Sequence, residues 1–179
     1  LVLGVIGAGA PAVSAAAGPG GSVSWQPASR PILGRPVVYT GSVGGAFVAW
    51  MDPELVRPVV VPGTGDPYSS PWGGQVDPAQ RRFLVASFNG GFKSGDFTGA
   101  VISMGNQYRN PVDGQGSFIV YDDGSFTVGS WPRDVDPAKK VVGLRQNLGM
   151  LVENGAPTSA AASPGNWGVS VLGPVTMQI

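Results

Sequence analysis

Glycine between short β-prone runs limits this chain more than any other feature: 29 of its 179 residues are glycine and 17 are proline. Both residues interrupt regular elements and supply the backbone angles of tight turns. The runs between them, such as Ala46 to Met51, Val56 to Val61 and Ser117 to Tyr121, have the length of strands and lie too close together for long helices. The pattern predicts a strand-rich chain with many turns. Pro58 assigns part of the second run to a sheet edge, because proline cannot donate to a central ladder. Hydrophobic residues at 42% supply a real core and argue against disorder. No internal repeat and no collagen-like period interrupts this reading.

Two residue types are missing, and their absence removes whole mechanisms. The chain has no histidine and no cysteine. A Ser-His-Asp triad, a cysteine nucleophile, a zinc site of His or Cys ligands and a disulfide framework therefore lack their reagents. Acid or base work falls to the 11 carboxylates, to Lys or Tyr, or to the substrate itself. Net charge is zero and charged residues are 12%, so no basic stripe points to nucleic acid and no polybasic run to an anionic membrane. A small or neutral partner fits this surface.

The start imitates a dinucleotide fingerprint, with Leu1 to Ile6 leading into Gly7, Gly9 and Pro11. The following Ser14 to Gly21 stretch cannot make the crossover helix, and no acidic residue precedes Asp52 to hold a ribose. An apolar run ending in small residues fits a secretory leader or short membrane anchor. Residues 1–24 are accordingly expected to be leader or anchor plus a Gly/Pro/Ser linker, with the folded domain spanning 25–179. That leader places the chain outside the cytoplasm, secreted or in the cell envelope, touching membrane only through its N-terminus.

Two constellations carry the candidate chemistry. The first is Asn89-Gly90-Gly91-Phe92, which follows the apolar run from Phe83 to Phe88. It is expected at the end of a buried strand, where bare backbone N–H groups make an anion- or sugar-binding concavity. Asn-Gly is equally a strong turn signal. Lys93 and Asp96 follow in a loop before the strand-like Gly99 to Met104: a cation beside an amide nest suits phosphate, and a nearby carboxylate handles a proton, whereas an exposed ion pair there would stabilise little. The second is Arg145-Gln146-Asn147, a polar triplet inside the apolar stretch from Val141 to Val152. Such groups either satisfy one another and the backbone or point into a pocket, where they suit sugar hydroxyls and phosphate oxygens.

Aromatic residues offer further candidates. Trp131, beside Arg133 and Asp134, would stack on a sugar face or cap the sheet, and Tyr68 and Trp72 lie in a long loop between Asp66 and Pro78. Asp122-Asp123-Gly124, with alternating residues on both sides, reads as a hairpin turn and not as a calcium loop.

The order Phe88-Asn89-Gly90-Gly91-Phe92, then a glycine-bounded hairpin, then Gln146-Asn147-Leu148 leading to Leu151, Val152 and Gly155, resembles the phosphodiester glycosidases, the family that includes the lysosomal uncovering enzyme. Trp131 to Asp134 and Arg145 to Leu148 look most like exported actinobacterial members. The resemblance covers roughly residues 37–179. It implies an α+β fold of twisted, mostly antiparallel sheets with few short helices, and hydrolysis of a sugar-1-phosphate diester; no cofactor and no metal ligand is assigned, and an oxygen-bound calcium or magnesium stays open. On that resemblance Asn89, Asp96 and Arg145 are the catalytic candidates, and Gly90, Gly91, Lys93, Gln146, Asn147 and Trp131 bind a carbohydrate or sugar-phosphate ligand. The family's later Arg-Ser or Arg-Thr segment and acidic Asp-Gly-Gly segment do not follow Ile179, so 25–179 is expected to be an incomplete domain, inactive by itself. The alternative expectation is a non-catalytic glycan-binding or structural module of the bacterial envelope.

Overall fold

The computed structural model describes residues 2–5, 22–63, 74–91 and 99–162. Calls on chemistry at Tyr68, Trp72, Lys93 and Asp96, most of the N-terminal leader and the end of the chain lie outside the described residues. The chain divides into two compact units, one drawn from Leu3–Pro58 and Asp77–Ser87, the other from Leu1–Val2, Val59–Val76 and Phe88–Ile179.

The first unit is built from short strands: β1 (Val2–Val5), β2 (Gln26–Pro27), β3 (Pro31–Ile32), β4 (Arg35–Pro36), β5 (Val38–Val43), β6 (Ala46–Met51) and β7 (Arg57–Val59). A four-residue helix, α1 (Pro78–Arg81), and β8 (Ala86–Ser87) complete it. Sheet orders are β2-β5-β6, β3-β4 and β7-β1-β8. Pro58 thus lies on an edge strand, as expected of a residue without a backbone donor. β5 and β6 form a hairpin from Val38↔Met51 to Val43↔Ala46. Its two-residue connection has both φ values positive, 55° at Gly44 and 83° at Gly45, the geometry that matches the twist of the flanking strands. Val37, Val38, Leu55 and Val56 make its core, with Ile32, Met51 and Val85 packed around them. Asp52 is buried, and its charge is met by Arg35 at 3.2 Å and by the Glu54 N–H at 2.9 Å, as a buried carboxylate requires.

The run from Phe83 to Phe88 is not the expected buried strand. Phe83 and Leu84 close α1 through N–H bonds to the Gln80 and Arg81 carbonyls, only Ala86–Ser87 pairs as strand, and Phe88 is exposed. Asp77 explains the difference: its carboxylate caps the Ala79 N–H at 2.8 Å with Pro78 at the first helical position, a start signal that captures the residues after it.

The second unit contains β9 (Val101–Ser103), β10 (Asn106–Gln107), β11 (Gln115–Tyr121), β12 (Phe126–Ser130), β13 (Val141–Gly149), β14 (Val152–Glu153) and β15 (Ala156–Pro157), ending in a 3-10 turn at Ser159–Ala162. Five strands form one sheet in the order β10-β9-β13-β11-β12, all antiparallel. β13 is central. Period-two alternation sends Leu144 and Gln146 to one face and Arg145 and Asn147 to the other. Ala100, Ile102, Ile119, Tyr121 and Leu144 pack on the first face; Val60, Val101 and Val120 pack on the second. The Asp122-Asp123-Gly124 hairpin stands as expected, with Asp123 accepting from the Ser125 N–H and hydroxyl.

The described architecture is therefore strand-rich and mostly antiparallel, with helix confined to two four-residue elements. No helix among the described residues is long and apolar enough to cross a membrane, which says nothing of a β-barrel.

Asp134 closes part of the β12 edge. Its carboxylate accepts the Ser130 N–H at 2.8 Å and its own N–H donates to the Ser130 carbonyl at 2.9 Å. Hydrogen bonds donated to the carboxylate by Arg133 and then by the Ser130 N–H lower its pKa from 3.8 to about 2. The folded state therefore binds the proton less readily than the unfolded state, so the contribution is present above pH 3.8 and fades as pH falls through about 2. Acid unfolding of Asp134→Asn, followed by circular dichroism, should show a shallower loss of stability over that interval than the parent chain.

Candidate functional site

The site candidates converge on one carbonyl. Arg145 Nε donates to the Gly90 oxygen at 3.3 Å, and Asn147 Nδ2 donates to the same oxygen at 3.2 Å. Both side chains leave β13 on one face, two residues apart, which is the spacing that lets neighbouring strand residues reach a common point. The Gly91 N–H donates to Asn89 Oδ1 at 3.1 Å, so residues 89–91 form an Asx turn. Asn89 is exposed, while Arg145 is only 8% exposed. A positive charge is thus held under an amide-rich turn whose Asn89 side chain meets solvent.

Gly91 is required by this contact. Its φ is 120°, and a Cβ there would stand 2.5 Å from Asn147 Nδ2 and 2.6 Å from Asn147 Cγ. The amide of Asn147 therefore occupies the volume any other residue would need. Among the described residues its Oδ1 is buried without a hydrogen-bond partner, and it faces the bare Gly91 backbone. The expected amide nest is consequently narrower than two N–H groups, because the Gly91 donor is already engaged within the turn.

Gln146 serves the opposite face. It is fully buried at 0% exposure. Its Oε1 accepts from the Ala100 N–H at 3.2 Å and the Val112 N–H at 2.8 Å; its Nε2 donates to the Val112 carbonyl and to Ser117 Oγ, each at 3.0 Å. An amide has two donors and two strong acceptor directions, and all four are used. Its hydrogen-bonding capacity is thus spent within the fold, where it holds β9, β11 and the approach to β11 together.

Trp131 is also separated from the turn. It packs against the cluster of Ala100, Ile102, Ile119, Tyr121 and Leu144, on the Gln146 side of the sheet, so it caps the core on the face away from Arg145 and Asn147. Arg133 pairs with Asp134 and Glu153 at 2.8 Å each. Asn89, Gly90, Gly91, Arg145 and Asn147 are therefore brought together, whereas Gln146 and Trp131 are not part of that group. Ser117 and Val112, which the sequence did not single out, prove to be the partners that saturate Gln146. Among the described residues no three acidic side chains are placed to hold a metal ion.

Comparison with family models, curated proteins and solved structures gives no match to this chain.

Gly91→Ala should destabilise the turn through both the collision and the positive φ, a strain of order 1–3 kcal/mol for the backbone alone. Adding Asn147→Gly removes the collision but not the strain. Denaturant unfolding of the two single variants and the double should therefore be non-additive, the double being less destabilised than the sum. Gln146→Leu should cost at least the roughly 1–3 kcal/mol of one orphaned buried group, measured in the same way.

Proposed function

We propose that this chain carries the phosphate-side half of a phosphodiester glycosidase, a hydrolase that cleaves the glycosidic bond of a sugar-1-phosphate diester. The convergence of Arg145 and Asn147 on the Gly90 carbonyl is the observation that carries the reading, because it ties together the two motifs on which the family resemblance rests.

The chemistry asks for little acid from the protein, since a phosphate monoester is already a competent leaving group. What must be supplied is neutralisation of its charge and stabilisation of an oxocarbenium-like sugar. The Arg145 guanidinium provides fixed positive charge beside the turn, and Asn89 presents its amide to solvent there. Asp96 remains the carboxylate proposed as base or nucleophile, with Lys93 as a second phosphate cation. No cofactor enters the scheme, and the apolar Ala/Gly-rich start supports an exported, envelope-associated protein whose ligand is a carbohydrate or sugar phosphate.

A second reading, a glycan-binding or structural envelope module, is favoured by one specific observation: Gln146 and the Gly91 N–H are spent on the fold. Turnover separates the two readings.

Asn89→Ala, made in the completed protein that also carries the family's later segments, tests the proposal. Loss of one preorganised donor acting on developing charge costs about 100-fold to 1,000-fold in rate. Release of phosphate monoester from a sugar-1-phosphate diester should fall by that factor per folded molecule, with thermal unfolding recorded on the same preparations. An early-melting variant with full specific activity would make Asn89 a turn former only, and absence of turnover in the completed protein would favour the binding module.

A further inference from the structure

We infer that β6 is a self-association edge, through which a second copy of this chain continues the β2-β5-β6 sheet. The inference is independent of the proposed reaction. β6 ends its sheet, with β5 on one side and no strand on the other among the described residues. Asp52 N–H donates to the Val37 carbonyl at 2.9 Å, which fixes the antiparallel alternation: Trp50, Val48 and Ala46 turn their backbone groups toward β5, and Met51, Ala49 and Phe47 turn theirs away. These outward groups have no hydrogen-bond partner among the described residues.

Natural sheets guard such an edge with charge, proline or a bulge. This one has none of them. No charged residue occurs from Pro36 to Met51, β6 contains no proline, and its ladder to β5 runs without a register shift. The side chains belonging to the outward backbone groups share one face. Phe47 is 94% exposed, Ala49 is exposed and Met51 is half-buried against the Val37 and Leu55 core.

The edge is complementary to itself. An antiparallel pairing with its two-fold axis at Ala49 sets Phe47 opposite Met51 of the second copy, and Met51 opposite Phe47. Each outward residue then exchanges both backbone bonds with its opposite number, and each Phe47 ring gains a thioether neighbour, a favourable sulfur–aromatic contact. Only the small Ala49 side chain meets itself at the axis, so nothing crowds the closest approach. A two-fold contact of this kind closes after two copies and does not propagate, which selects a second copy of this chain as the occupant over an open-ended stack.

The absence of cysteine makes the test clean. Residues opposite each other in a hydrogen-bonded antiparallel pair have Cα atoms about 5.5 Å apart, within the roughly 4.4–6.8 Å that a disulfide spans. Ala49→Cys in the full chain should therefore oxidise to a covalent dimer, whereas Ser42→Cys, exposed on β5 and one strand further from the axis, should not. Sedimentation equilibrium of the parent chain should show concentration-dependent dimer, lost in Ala49→Lys, which places two like charges at the axis while leaving the far-UV spectrum, and the unfolding midpoint at concentrations where the parent is monomeric, unchanged. A parent chain that stays monomeric at all concentrations overturns the inference, as does equal cross-linking of the two cysteine variants. Binding of the monomer to phosphatidylcholine vesicles through Phe47 would assign the edge to a lipid surface and overturn it as well.

Discussion

The amide of Gln146 is the interaction on which the five-stranded sheet and its turn depend. Buried amides are costly unless every polar atom is met, and this one is met by four partners on three segments. Because Gln146 fixes β13 against Ala100 and Ser117, the residues on either side of it have defined positions too. Arg145 and Asn147 then emerge together on the opposite face and hold the Gly90 carbonyl. One face of the strand organises the core while the other organises the surface turn. Low local dielectric strengthens such a saturated network and equally raises the cost of breaking any part of it.

That division explains what the sequence made legible and what it did not. The hairpin at Asp122-Asp123-Gly124 could be read because turn chemistry and two-residue alternation are both local signals. The strand-rich character followed from glycine punctuation for the same reason. Arg145, Gln146 and Asn147 were legible as polar residues needing partners, but grouping them in one pocket ignored the strand's own period, since consecutive residues point to opposite faces. Once β13 is a strand, Gln146 cannot share a site with its neighbours. Ser117 and Val112 carry no sequence mark of their role, because a serine hydroxyl or a backbone amide becomes a partner only when distant segments meet.

The misread segment from Phe83 to Phe88 has a different cause. Its apolar run is too short for periodicity to separate strand from helix end, and the deciding information lies upstream in the Asp77-Pro78 start signal. Trp131 shows a third kind of ambiguity. A tryptophan beside a charged pair fits a sugar platform and a core cap alike, and the ring's packing against the cluster that includes Ile119 and Leu144 is the arrangement of a cap.

The Asx turn at Asn89 also sets a limit on how the candidate site can be chemical. Asn89 uses its oxygen to accept the Gly91 N–H, so the atom it can offer a ligand is its Nδ2, a donor. Donors suit phosphate oxygens and not a proton to be abstracted. Arg145 beneath the turn is likewise donor-only, with a charge that persists at any physiological pH. The described part of the site is thus equipped to receive negative charge and has no group to act as base. A hydrolase built on it must take its carboxylate from residues beyond this turn, and a binding module built on it would need none. The two proposed roles therefore share the same described residues and part only at the carboxylate, which is why turnover, and not ligand retention, discriminates between them.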